Sequence, residues 1–402
     1  MKAANSQAVV VTGVGIVTPL GQTPAEVLRR IRAGECAAAP PAGFDAGVFA
    51  CPVCARVKDF QPQRFVSEPK LVRLMNRDAQ LAVAAARLAL ENAVVKSGTT
   101  YPPEEMALFG ATGLAGLPLR EVAPLIRVSA GLDGEFDLTR FGQAGLKAVS
   151  PILSFKILSN MPFCFVSINE NIQGPNAVYT PWEGEGAQAV EAGIRSLQAG
   201  DARCALVGGC DVKTHELAFV SLQQQGVFDS WKSPESHPLA GAPAPNPANP
   251  DRDREGSACG VIPGEGAAFL VLETKQSALA RGARVCATLS ALSLRPRSRE
   301  EEVAWTRTEV LRRLKVGKVT AMVSASDGTA ASERMELSAL KSAGISAEEI
   351  ICPKKQAGDL FAAAALLQIA LGVAMIEDGA SSVLANCFGY GTTQAACVLE
   401  KP

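Results

Sequence analysis

Side chains able to do covalent or metal chemistry are thinly spread in this 402-residue chain. Eleven cysteines are scattered along it, and only two histidines occur, His215 and His237. Cys51-Pro-Val-Cys54 has the spacing of a redox or zinc motif. A tetrahedral site needs further ligands, and neither a second such pair nor a nearby histidine supplies them. A local hairpin or loop is expected there, and no metal or cofactor is implied. An odd number of scattered thiols suits a reducing compartment better than a disulfide framework.

The elements that must position any site alternate in type. AVVVTGVGIVTPLG (8–21) is a β-branched strand broken by glycine, and Thr23-Pro24 starts a helix to Arg32 with Gly34 beyond its end. Residues 71–92 form an alanine-rich amphipathic helix. Further strands are expected at 106–112, 176–180, 202–209, 267–273, 286–292, 319–326, 381–388 and 395–400, and helices at 184–199, 333–343 and 360–378. This alternation predicts an α/β architecture with mainly parallel strands. The order repeats, each half ending in a glycine-rich strand pair. The expected halves are 1–274, carrying a Pro-rich charged excursion at 232–256, and 275–402.

With 48% hydrophobic but only 5% aromatic residues, a core of Ala, Val and Leu is expected. A net charge of −1 argues against nucleic-acid or membrane-surface binding. Met1 to Gln7 has the character of neither a signal nor a transit peptide, and no uninterrupted apolar run suits a membrane span. A cytoplasmic location is the expectation.

Several motifs follow one another in an order that carries a resemblance: VVVTGVGIVTPLG at the start, SPILSFKILSNMP (150–162), VSINENIQGPN (166–176), RSLQAGDARCALVGGCD (195–211), GEGAAFLVLE (264–273) and NCFGYGTTQAACVLE (386–400). Together they resemble the β-ketoacyl-ACP synthases across essentially the whole chain. The resemblance implies a thiolase-like αβαβα layered fold made of two duplicated halves.

Members of that family condense acyl units with one Cys and two His. The Cys stands at a helix start, where the dipole and backbone N–H groups favour the thiolate. Counting back from Gly200-Asp201 through Arg195 and Gly186 places the nucleophile position at Glu183, and no cysteine lies between Cys164 and Cys204. The first histidine position falls at Asp327, before Gly328-Thr329, and the second at Asp359, after Gly358. Lys354 matches the family's lysine. The chain thus resembles the chain length factor of type II polyketide synthases, whose cysteine position is typically Gln; Glu183 departs from that.

Glu183, Asp327 and Asp359 are candidates for one buried pocket, either a carboxylate cluster for a cation or acid–base work, or a relic site paired to Lys354, backbone amides and water. Phe388, in Phe388-Gly389-Tyr390-Gly391, matches a residue that can gate acyl entry, or the turn serves backbone geometry alone. Trp182 either plugs the vestigial pocket or packs in the core.

Two regions concern a partner in the family. Segment 150–176 runs along its dimer interface, with Ile152, Phe155, Ile157, Phe163 and Phe165 as packing candidates. TGLAGLPLR (112–120) resembles the tunnel wall, with Ala115 and Leu117 leaving room for a fairly long chain. The leading expectation is a non-condensing subunit in a heterodimer with a catalytic ketosynthase, receiving chains from an acyl carrier protein and shaping the polyketide tunnel. The alternatives are a malonyl-ACP decarboxylase or other enzyme using the three carboxylates, and a self-associating acyl-chain binding protein.

Overall fold

The computed structural model describes residues 8–114, 116–232, 260–297 and 303–402. Ala115 and all but the first residue of the 232–256 excursion lie outside them. Twelve strands occur among the described residues: β1 (Val9–Val17), β2 (Ala38–Ala39), β3 (Cys54–Ala55), β4 (Met106–Thr112), β5 (Asn176–Tyr179), β6 (Cys204–Val212), β7 (Glu265–Thr274), β8 (Ala287–Pro296), β9 (Lys318–Val323), β10 (Ser346–Ile351), β11 (Ser382–Cys387) and β12 (Thr393–Glu400). The helices that matter below are α1 (Pro24–Arg32), α2 (Arg77–Ala93), α3 (Met161–Glu170), α4 (Gly184–Ala199), α5 (Glu216–Gln224), α6 (Val303–Leu314), α7 (Ala330–Ala343), α8 (Pro353–Ala357) and α9 (Ala364–Glu377).

The main sheet runs β10-β9-β11-β12-β8-β1-β7-β6-β4-β5. Numbered within each half, both halves have the order third, second, fourth, fifth, first, and they meet where β1 pairs antiparallel with β8 through Val10 and Val11. The duplicated, thiolase-like architecture is therefore present. The expectation of mainly parallel strands is corrected. Pairs β4–β5, β4–β6, β9–β10 and β9–β11 are parallel, but β1–β7, β6–β7, β8–β12 and β11–β12 are antiparallel. In one case the cause is plain: only residues 388–392 join β11 to β12, too few for the crossover of about a dozen residues that a parallel pair requires.

Sequence signals set the helix boundaries. Thr23 caps α1 through Glu26 N–H, with Pro24 at the first position. The helix expected from 71 begins at 77, because Asn76 is extended and accepts from Ala79 N–H, while Pro69–Arg73 winds as a 3₁₀ turn. α9 is apolar on every side but for Gln368, and every residue from Ala364 to Ile376 is buried, as such a helix requires. With α4 it fills the layer between the half-sheets. α2 and α3 cover the outer face of the first half, and α6 and α7 that of the second. Truncating one central side chain, such as Leu366→Ala, costs about 2–5 kcal/mol through lost transfer energy and the cavity left behind.

Candidate functional site

α4 begins directly after Glu183, whose own backbone is already helical, so its carboxyl stands at the positive end of a buried helix. The residue is fully buried. Its Oε2 accepts the Tyr390 N–H at 3.1 Å, and its Oε1 lies 3.4 Å from Lys354 Nζ. The β11–β12 loop closes over it at Gly389, where an added Cβ would sit 2.2 Å from Glu183 Cδ. Only a glycine lets that loop descend so far.

Lys354, in α8, places its ammonium 2.7 Å from Asp359 Oδ2. Between them Gly358 turns the chain at φ +78°, with Ala55 packed where a side chain would go. Asp359 is then fixed on both sides. Its N–H donates to Ile262 O at 2.7 Å, its carbonyl accepts from Gly264 N–H at 2.8 Å, and its Oδ1 accepts from Phe361 N–H at 2.8 Å. Glu183, Lys354 and Asp359 are all at least nine-tenths buried.

One cation thus serves two carboxyl groups. Burial pushes the Glu183 carboxyl up, the Lys354 charge pulls it part of the way back, and Asp359 adds to the rise. For Lys354, burial works against the ammonium, yet Asp359 and Glu183 together hold it well above the ordinary lysine value. The shorter contact identifies Lys354–Asp359 as the ion pair, with Glu183 the group that burial drives toward its protonated form.

Asp327 joins this cluster through Tyr390. The phenol donates to Asp327 Oδ2 at 2.8 Å, and Thr329 N–H donates to Oδ1 at 2.9 Å. Burial, then the Asp327 charge, pushes the Tyr390 phenol well above its usual value. Asp327 and Tyr390 line a cavity of about 490 Å³ with Trp182, Arg297 and Arg307; Glu183, Lys354 and Asp359 are not in its wall. The three candidate carboxylates are therefore gathered, but into an exposed part and a sealed part divided by Tyr390.

Trp182 stands where three walls meet, with its ring centroid 6.2 Å from Phe361 and 6.3 Å from Tyr390. It also borders a second cavity, of about 200 Å³. Leu117 is buried and lines a third, of about 280 Å³. His215 borders both of these cavities, caps α5 by accepting Ala218 N–H on Nδ1, and has its pKa pushed down to about 4 by burial and by Lys213. His237 lies outside the described residues. Cys51 and Cys54 are buried, with Cys51 Sγ bonded to backbone carbonyls and Cys54 in the β2–β3 ladder. Burial raises the Cys54 thiol to about 12, so it is unreactive at neutral pH.

Two expectations require correction. Phe388 does not border the cavity. It is buried beneath Arg307, 5.1 Å from ring centroid to guanidinium, in the core under α6 and α7, because the end of β11 turns it to the outer layer. Phe163 and Phe165 are both packed mainly into the chain's own core, and of the two only Phe163 also reaches a cavity, beside β5. The turn of α3 points residues 162, 163, 165, 166 and 169 inward, and the Phe163 ring lies across Gly110, 5.7 Å from Phe269. Ile152, Phe155 and Ile157 are 39, 55 and 50% exposed. The residue missed in the sequence is Tyr390, whose position between two glycines of the 388–391 motif was a usable signal.

Fold and site together define a thiolase-like scaffold whose buried cluster is made of Glu183, Lys354 and Asp359. The sequence matches the family described as "Beta-ketoacyl synthase, N-terminal domain" over residues 6–278, more than half of the chain, and the protein belongs to that family. It is 28% identical over 277 residues to the 3-oxoacyl-[acyl-carrier-protein] synthase 2 of Synechocystis sp., covering 69% of this chain and 60% of that one. It is 24% identical over 434 residues to the protein of the same name from Coxiella burnetii, covering 98% of each. Among solved structures it is similar to one described as "The ishigamide ketosynthase/chain length factor", with a TM-score of 0.76 and 22% identity over 98% of this chain and 99% of that one. No helix among the described residues is long and apolar enough to cross a membrane.

Proposed function

We propose that this chain is the non-condensing partner of an active ketosynthase, of the chain length factor kind, in a heterodimer of a type II polyketide synthase. The observation that carries this reading is the sealed Glu183–Lys354–Asp359 cluster. A carboxyl already engaged by an ammonium and a backbone amide, beneath a glycine loop, is neither a thioester-forming nucleophile nor open to one. The family scaffold is nevertheless kept whole, which is what a partner surface and a tunnel wall require.

Surface features support a partner on one side. Besides Ile152, Phe155 and Ile157, the large exposed apolar residues Leu114, Phe136, Leu138, Leu146 and Ile168 fall within the same stretch, 114–168. β5 lies at one end of the sheet with the neutral sequence Asn-Ala-Val-Tyr, whereas β10 at the other end is guarded by Glu348 and Glu349, paired to Lys318 and Arg32. A neutral edge accepts another strand, and a charged edge discourages one. Leu117 and Trp182, lining cavities beside this surface, are the residues assigned to the tunnel in this reading; Ala115, the other candidate, lies outside the described residues. An acyl carrier protein would deliver chains to the partner, and the two halves divide at 274/275.

The test is reconstitution with malonyl-ACP and three samples: this chain alone, a catalytic ketosynthase from the same gene cluster alone, and the two co-expressed and co-purified. Chain extension by the pair and no malonyl-ACP consumption by this chain alone is the expected result. Decarboxylation by this chain alone overturns it in favour of an enzyme using its carboxylates.

A further inference from the structure

Among the described residues, Arg307 is a buried cation without a dedicated counter-ion. It is nine-tenths buried on α6, with Nε donating to Gln394 Oε1 at 3.0 Å and Nη1 directed at the soft sulfur of Met335 at 3.3 Å. Among the described residues, no carboxylate lies within ion-pairing distance of it. The acidic groups whose charges act on it most are Glu336, Asp327 and Glu183, and each is already engaged. Glu336 is held by Ser324, Ala325 N–H and Asn386, Asp327 by Tyr390 and Thr329, and Glu183 by Lys354 and Tyr390 N–H. Leaving a guanidinium buried on such terms is costly unless something anionic completes it.

The cavity of about 490 Å³ supplies the space. Arg307 lines it, and so does Arg297, whose Nη2 donates to Tyr390 O at 3.0 Å and which also has no ion-pair partner among the described residues. Among the described residues the wall therefore carries two guanidiniums against the single carboxylate of Asp327. A monoanion balances that wall, whereas a phosphate dianion beside Asp327 would overshoot it. Val303, Ala331 and Met335 make part of the remaining lining apolar.

We propose that this cavity is a carboxylate-binding site, in which Arg307 and Arg297 hold the anionic end of a ligand whose short apolar body lies against Val303, Ala331 and Met335. Guanidinium donors suit a carboxylate through charge-assisted hydrogen bonds, and a few polar groups in a mainly apolar cleft fix a ligand's orientation. The site is separate from the sealed cluster, and its occupancy does not depend on a partner subunit.

Calorimetric titration of the full chain with sodium butyrate, sodium acetate and sodium phosphate at constant ionic strength tests it. One saturable site is expected, with butyrate tighter than acetate and acetate tighter than phosphate. Arg297→Gln should weaken butyrate by about tenfold, the loss of one charge-assisted hydrogen bond, and Arg307→Gln should abolish binding. Because Arg307 also holds Gln394, melting curves accompany each variant, and Arg297→Gln decides if Arg307→Gln does not fold. At the same concentration butyrate should raise the melting temperature of the wild type more than that of Arg297→Gln, a difference that a purely structural arginine would not produce. Absence of saturable binding, tighter binding of phosphate, or wild-type affinity in Arg297→Gln overturns the assignment.

Discussion

The ammonium of Lys354 lies 2.7 Å from the carboxylate of Asp359 and 3.4 Å from that of Glu183, so a single buried cation answers for two acidic side chains that are themselves buried. In a ketosynthase the corresponding positions, on the resemblance described above, carry a thiol and an imidazole poised for reaction. Here Glu183 and Asp359 are both tied to Lys354, so changes among the three should be read first in stability.

Removing the shared cation should therefore be the most damaging change at this site. Lys354→Met leaves both carboxyl groups buried and uncompensated, a loss of about 3–5 kcal/mol by analogy with broken buried ion pairs. Urea denaturation is the measurement. Combining Lys354→Met with Glu183→Gln and Asp359→Asn should recover most of the loss, since no charge then remains to be solvated.

Glu183 should give stability a pH dependence of known sign. Burial raises its carboxyl above the ordinary value of 4.5, so above that value the unfolded chain releases a proton that the folded chain retains. Stability from this group is complete below 4.5 and is lost as the pH rises through the higher folded value. Glu183→Gln has nothing to titrate. Its stability relative to wild type should therefore improve with rising pH across that window, as read from denaturation midpoints at a series of pH values.

The contact between Gly389 and Glu183 predicts a coupled pair. An alanine at 389 would put its Cβ 2.2 Å from Glu183 Cδ, an overlap that must displace the loop or the carboxyl. Gly389→Ala should cost about 1–3 kcal/mol, the usual range for overpacking. In the Glu183→Gly background, which also removes the Glu183 Cβ that would otherwise lie 2.7 Å away, the same substitution should be much milder. A double-mutant cycle measures the difference, and simple additivity would refute the close approach.

Much of this arrangement was legible beforehand. Glu183 at a helix start, Asp359 after a glycine and Lys354 five residues earlier were all placed by motif order, because glycines and helix boundaries are local signals. Tyr390 as the divider was not, since its hydroxyl and its amide reach residues on either side through three-dimensional packing alone. Arg307 had no signal at all in a stretch crowded with charges. The helices at Met161–Glu170 and Val303–Leu314, and the edge strand Ser346–Ile351, were missed for a related reason. The apolar residues of the first face inward through a narrow arc, the second is interleaved with charge, and Ser-Ala-Glu-Glu-Ile-Ile pairs on one side only. Phe163 and Phe165 were assigned outward because they are apolar and lie in an interface segment, whereas helical periodicity within the segment decides which of its residues face the core.

His215 offers the last test, on the acid side. Burial and the neighbouring Lys213 depress its pKa from 6.5 to about 4, because the protonated ring is penalised inside the fold. Between those values the unfolded chain binds a proton that the folded chain refuses, so stability is full above 6.5 and falls as the pH drops toward 4. A shift of that size corresponds to at most about 3 kcal/mol, less whatever solvent screening the partly accessible ring retains. His215→Asn keeps an acceptor for the Ala218 N–H at the start of α5 but does not titrate, and asparagine is a favoured capping residue. Its stability near pH 7 should stay close to wild type while its acid-side decline becomes shallower. Denaturation midpoints at matched pH values measure this, and parallel curves for the two proteins would mean that His215 is not the group whose protonation opposes the fold.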